Sequence, residues 1–133
     1  MEEVPGREGM KGKTALFVIQ KHAATHLHYD LRLEMDGVLK SWAVPKRPPM
    51  KKNIKRLAIQ TEDHALAYAK VQGVIAERES GFETVEIWDT GTYVLEGQGR
   101  DIIVFHLKGK KLKGRYCLVR LKGQKKNWLF FKC

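Results

Sequence analysis

From Thr25 to Met35 the sequence alternates without a break. Leu27, Tyr29, Leu31, Leu33 and Met35 fall on one side; His26, His28, Asp30, Arg32 and Glu34 fall on the other. Successive side chains of a strand face opposite ways, so this pattern demands a half-buried β-strand. The apolar row must face a core. The polar row carries imidazole, carboxylate and guanidinium side by side, where a wet strand face ordinarily carries Lys, Thr and Ser. Simple solvation is the usual explanation of such a face. Here, however, His28 and Asp30 stand on adjacent same-side positions, about 7 Å apart along the strand. His22 precedes them in what reads as a turn, near enough to fold back. Two imidazoles and a carboxylate with open positions make a catalytic metal site. Arg32 follows on the same face as a planar fork for phosphate oxygens.

The rest of the chain reads as further short strands. Thr14–Gln20 is apolar and rich in β formers. Asp36-Gly37 is a two-residue hairpin turn of the favoured chemistry, because both positions need positive φ. Val38–Val44 is its antiparallel partner, ended by Pro45, Pro48 and Pro49. Residues 46–56 form a basic loop holding Lys46, Arg47, Lys51, Lys52, Lys55 and Arg56. Leu57–Thr61 is a strand. Glu62–Lys70 is the one helical candidate, acidic at its start and alanine-rich inside. Thr84–Leu95 reads as a hairpin around Asp89-Thr90-Gly91. Ile102–Leu107 and Lys111–Leu121 are strands joined at Lys108-Gly109-Lys110, and Asn127–Lys132 is the last strand. Many short strands and one short helix indicate an all-β sandwich or barrel. Residues 1–13, polar and Gly-rich, are expected to be a flexible arm; residues 14–133 are expected to be one domain.

Composition narrows the function. The 133 residues suffice for one domain with a real core. Lys and Arg number 25 against 15 Asp and Glu, a net charge of +10, and such an excess attracts polyanions, most often nucleic acid. No apolar run is long enough to span a membrane. The N-terminal residues lack the basic and apolar regions of a signal peptide. Cys117 and Cys133 form no framework and are expected to be free thiols. The expected location is cytoplasmic.

Three blocks carry a resemblance: Phe17-Val18-Ile19-Gln20-Lys21-His22, then Leu27-His28-Tyr29-Asp30-Leu31-Arg32-Leu33-Glu34, then Asp36-Gly37-Val38-Leu39-Lys40-Ser41-Trp42-Ala43-Val44-Pro45-Lys46. Lys55–Gln60, Glu62-Asp63-His64, Trp88-Asp89-x-Gly91 and Trp128-Leu129 continue it. Together they resemble the 3′-phosphoesterase domain of bacterial DNA ligase D. That resemblance implies a compact β-barrel of about eight mostly antiparallel strands with a small helix at its side. It implies an Mn²⁺-dependent DNA repair enzyme acting on 3′ ends of primer–template duplexes, DNA or RNA–DNA. Such an enzyme removes a terminal ribonucleoside to leave a 3′-phosphate, and removes the 3′-phosphate to leave a hydroxyl for end joining. In bacteria the domain is usually fused to an end-joining polymerase and ligase.

The resemblance also distributes roles. His22, His28 and Asp30 match metal ligands. Arg32, Lys46 and Arg56 match groups that neutralise phosphate oxygens. His64 matches a phosphate-contacting histidine, and Glu62 and Tyr68 match further active-site positions. His26 lies outside the motif. Residues 72–83 match a family loop but depart from its pattern: the usual Pro is Ala76, the usual Tyr is Ser80, and two usual glycines are Arg78 and Glu83.

Two other readings remain open at this stage. His28-x-Asp30 with a distant His106 imitates the iron triad of non-haem oxygenases. Alternatively, the chain is a non-catalytic basic nucleic-acid-binding module, which would need stacking aromatics on an exposed face. Trp42, Trp88 and Trp128 sit in apolar strands and read as core.

Overall fold

A computed structural model describes residues 13–79 and 81–133. Its elements are β1 (Thr14–Ala23), β2 (His28–Met35), β3 (Val38–Val44), β4 (Lys55–His64), a 3-10 helix (Leu66–Lys70), β5 (Gly73–Arg78), β6 (Gly81–Gln98), β7 (Ile102–Gly109), β8 (Lys113–Arg120) and β9 (Asn127–Lys132). Apart from Lys13, the expected N-terminal arm lies outside the described residues.

The strands follow the order β1-β2-β3-β4-β9-β8-β7-β6-β5, and β1 also pairs with β6. That last pairing closes an antiparallel barrel of eight strands, with β5 added outside on the first part of β6. Closure removes the exposed edges that an open sheet would leave. The all-β barrel is as expected. Among the described residues, no helix is long and apolar enough to cross a membrane.

The alternation of β2 decides what lies inside. Tyr29, Leu31, Leu33 and Met35 join Phe17, Ile19, Trp42, Tyr93, Phe105, Tyr116 and Phe130 in one buried cluster. Each such side chain contributes on the order of 1.5–3 kcal/mol by leaving water. Leu27 does not join them; it precedes β2 and is 47% exposed. The β2–β3 turn has φ of 58° at Asp36 and 80° at Gly37, the positive values that its sequence demands. A second, smaller apolar cluster lies outside the barrel, where Val18, Leu39 and Ala69 pack with Leu16, Tyr68 and Ile87. It seats the 3-10 helix on the outer face of β1 and β3.

Four local expectations need correction. His22 is not in a turn, because β1 runs on to Ala23 with β2 on one side and β6 on the other. Glu62, Asp63 and His64 are not helical. They prolong β4, with His64 opposite Leu39, and only Leu66–Lys70 coils, as a 3-10 turn. Residues 73–78 form a strand paired with β6, where a loop was expected. Asp89-Thr90-Gly91 does not turn the chain, since β6 passes through it unbroken.

Asp89 instead organises a distant turn. Its Oδ1 accepts the backbone N–H groups of Thr90, Lys110 and Lys111, and its Oδ2 accepts that of Leu112. Any side chain at Gly91 would strike the Lys108 carbonyl. The Trp88-Asp89-x-Gly91 block is therefore a structural device. Cys117 and Cys133 are free cysteines, as expected, and burial pushes the Cys117 thiol up to about 12.

Candidate metal and phosphate site

The register between β1 and β2 assembles the site. His22 lies opposite His28, Gln20 opposite Asp30, and Val18 opposite Arg32. Because Tyr29, Leu31 and Leu33 face the core, His28, Asp30 and Arg32 face outward. Asp30 and Arg32 are nevertheless buried, with His64 and Tyr68 packed over the guanidinium.

One donor atom from each of His22, His28 and Asp30 lies within 4.8 Å of the others. Asp30 Oδ2 stands 3.5 Å from His22 Nδ1 and 3.3 Å from His28 Nε2. The two imidazole rings are 4.6 Å apart at their centroids. His28 Nδ1–H donates to the His26 carbonyl at 3.1 Å, which turns its Nε2 toward the carboxylate. His22 Nε2 lies 2.6 Å from Glu83 Oε1.

Burial works to raise the Asp30 pKa, but the His28 hydrogen bond and the nearby Arg32 and His22 charges outweigh it and hold the carboxyl below its ordinary value. The hydrogen bond to Asp30 raises His28. A proton and a metal ion would compete for the same Nε2 lone pair, as at any imidazole ligand. An N, N, O donor set suits a divalent transition ion.

Arg32 is the hub of the second half. Its Nε donates to Gln20 Oε1 at 2.7 Å, and its NH1 donates to Ser41 Oγ at 2.7 Å and to His64 Nδ1 at 3.1 Å. NH2 stands 3.5 Å from Asp30 Oδ2. A guanidinium has five N–H donors. The Nε and NH1 donors are taken by protein acceptors, so only NH2 remains to meet a ligand. The sequence suggested a free fork, and the structure differs: most of the fork braces its neighbours. The Tyr68 ring lies 4.8 Å from the guanidinium carbon and 4.7 Å from the His64 ring. His64 Nδ1 lies 3.1 Å from both Arg32 NH1 and the Glu62 carbonyl, so it accepts from the guanidinium in one tautomer and donates to the carbonyl in the other.

Thus His22, His28, Asp30, Arg32, His64 and Tyr68 come together. Among the described residues, no side-chain hydrogen bond or ion pair joins Glu62, Lys46 or Arg56 to them. Glu62 is exposed on β4, and its carbonyl lies 3.1 Å from His64 Nδ1. Lys46 is exposed just past β3. Arg56, near the start of β4, donates from Nε to the Arg47 carbonyl at 2.8 Å. His26 is exposed and lends only its carbonyl. His106 belongs to β7, and its Nε2 lies 2.9 Å from Glu96 Oε1. The oxygenase reading therefore loses its third ligand. Trp42 and Trp128 are core residues and offer no stacking face.

Gln20 escaped the sequence reading. It is wholly buried, and its Nε2 donates to the Tyr68 carbonyl at 2.8 Å and the Val71 carbonyl at 3.3 Å while its Oε1 accepts from Arg32. It fastens the 3-10 helix and the guanidinium to β1. Its two-residue spacing from His22 on a strand was the available signal. Ser41 and Glu83 were also missed, since neither carries a local mark of its partner.

The family model described as the DNA ligase D 3′-phosphoesterase domain matches residues 20–120. The chain is 44% identical over 139 residues to the multifunctional non-homologous end joining protein LigD of Pseudomonas aeruginosa, covering 98% of this chain and 16% of that protein. It is 45% identical over 132 residues to the multifunctional non-homologous end joining DNA repair protein LigD of Mycobacterium tuberculosis, covering 96% and 17% respectively. With the Mycolicibacterium smegmatis protein of the former name it shares 43% identity over 141 residues, covering 96% and 18%. The chain thus spans about a sixth of the length of these relatives. Since the matched span runs from the Gln20 buttress through β8, containing the whole His-His-Asp and Arg-His-Tyr cluster, the chain belongs to the DNA ligase D 3′-phosphoesterase domain family.

Proposed function

We propose that this chain is a metal-dependent phosphoesterase that trims the 3′ end of a nucleic-acid strand, removing a terminal ribonucleoside to leave a 3′-phosphate and removing a 3′-phosphate to leave a 3′-hydroxyl. One observation carries the reading: three metal-type donors within 4.8 Å of one another adjoin a buried Arg32–His64–Tyr68 cluster on the outside of the barrel. The donor set fits a divalent ion; His22, His28 and Asp30 would hold it, and the family favours Mn²⁺. A bound ion of this kind polarises a phosphoryl group and lowers the pKa of water.

The chain's own groups supply the rest. Arg32 NH2 would donate to a phosphate oxygen while Nε and NH1 keep the guanidinium in place. His64, in the tautomer that accepts from Arg32 at Nδ1, would donate from Nε2 to a phosphate or leaving oxygen. Tyr68 and Gln20 fix the orientation of both. Lys46, Arg56 and the surrounding basic loop would contact the strand away from the reacting end, and Glu62 would orient the loop's cations. The net charge of +10 supplies salt-sensitive affinity for DNA or RNA–DNA primer–template duplexes. The names of the relatives support a role in DNA repair by non-homologous end joining; on this reading the chain would work in the cytoplasm beside an end-joining polymerase and ligase.

The test is incubation of chelated protein with Mn²⁺ and a labelled duplex ending in a 3′-phosphate or a single ribonucleotide. Wild type and His106→Ala should process both ends, and His22→Ala neither, with DNA binding retained. Processing by His22→Ala at the wild-type rate would reject the reading.

A further inference from the structure

Glu83 stands at the start of β6, outside the group that the family pattern marks, and touches the site at one point. Its Oε1 lies 2.6 Å from His22 Nε2. Its Oε2 accepts from Arg78 NH2 at 2.9 Å, across the β5–β6 hairpin. Both residues occupy positions where the sequence departs from the family's glycines, and the two departures meet each other. A carboxylate accepts and does not donate, so His22 must carry its proton on Nε2 in this contact. The Nδ1 lone pair is then left on the side of Asp30 Oδ2, 3.5 Å away, and of His28.

We infer that Glu83, braced by Arg78, is a positioning residue that locks the tautomer and ring angle of His22 so that Nδ1 faces the metal position. The inference rests on the metal-enzyme reading above. A histidine ligand whose other nitrogen bonds a carboxylate is both oriented and made a stronger donor. Glu83 does not take a coordination position, because its near oxygen is on the opposite nitrogen of the ring. The hairpin thereby becomes part of the metal site, although no residue of β5 reaches the donor cluster.

Two measurements test this. The first is the Kd for Mn²⁺ alone, from the loss of the free-ion EPR signal, in wild type, Glu83→Ala, Glu83→Gln and His28→Ala. Glu83→Ala should bind about 10- to 100-fold more weakly. Glu83→Gln, whose amide oxygen still accepts from Nε2–H, should stay within about threefold of wild type. His28→Ala should lose binding. An unchanged Kd in Glu83→Ala, with His28→Ala defective, overturns the inference alone. Equal weakening in the Ala and Gln variants also overturns it, since charge rather than orientation would then be at work. Failure of wild type to bind Mn²⁺ removes the metal reading and the inference together. The second measurement needs no variant: long-range ¹⁵N correlation spectra of the metal-free protein should show His22 protonated on Nε2, and a proton on Nδ1 refutes the assignment even if Glu83→Ala does not fold.

Discussion

Replacing Arg32 by lysine keeps the charge and removes the geometry. Arg32 is 4% exposed, and it joins Gln20 on β1, Ser41 on β3 and His64 on β4 through three hydrogen bonds. One ammonium on a flexible stem cannot reach all three. At least two buried bonds from a charged donor are lost, each of about 1.5 kcal/mol. The expected destabilisation is about 3 kcal/mol, or about 10 °C in Tm at a few degrees per kcal/mol for a domain of this size. The rate should fall separately, because His64 loses its guanidinium partner at Nδ1 and the phosphate loses NH2. A loss on the order of 10²-fold is the scale for one transition-state donor. The assay pairs a thermal melt with phosphate release from a 3′-phosphate duplex, run well below the variant's Tm. A Tm within about 2 °C of wild type, together with near wild-type turnover, would show that the guanidinium holds nothing together and binds nothing.

Two further predictions concern parts of the barrel away from the site. Asp89→Ala leaves four backbone N–H groups without their acceptor and should cost about 3 kcal/mol or more in chemical denaturation, with the Mn²⁺ Kd unchanged. Glu96 is held down to about 2, first by its hydrogen bond from Arg115 and then by His106. Its contribution is present above the ordinary glutamate pKa and is lost as pH falls toward 2. Because the pair is about a third exposed, that contribution is about 1 kcal/mol. Glu96→Gln should therefore flatten the acid limb of a stability-versus-pH curve, and an unchanged limb would contradict the pairing.

The sequence made the strand pairs legible where the determinants are local. The alternation of residues 28–35, the Asp36-Gly37 turn and Val38–Val44 were all readable because one face is buried and positive φ is demanded at one place. Reading failed where a distant partner overrode a local preference. Glu62 and Asp63 look like a helix start, yet pairing with β3 keeps them extended, and the alanines that follow form only one short 3-10 turn. Asp89-Thr90-Gly91 has turn chemistry, but its carboxylate serves residues 110–112 and its glycine admits the Lys108 carbonyl. The donor triad was visible in residue type, while the bond from Arg32 to Gln20 and the contact of Glu83 with His22 depend on a register that no local pattern encodes. Lys46, Arg56 and Glu62 are the converse: the motif marks them, yet among the described residues their side chains make no hydrogen bond or ion pair to the cluster.

The most direct measurement is inorganic phosphate release from a 3′-phosphate duplex as Mn²⁺ is titrated into chelated protein, for wild type and Asp30→Ala in parallel. Asp30 Oδ2 is the atom both histidines face, so its removal dismantles the donor set at its centre. Wild type should be silent in chelator and rise to saturation with Mn²⁺, while Asp30→Ala stays silent at every concentration. Release that needs no metal, or a wild-type titration curve from Asp30→Ala, would contradict the assignment of this cluster as the metal centre of a 3′-phosphoesterase.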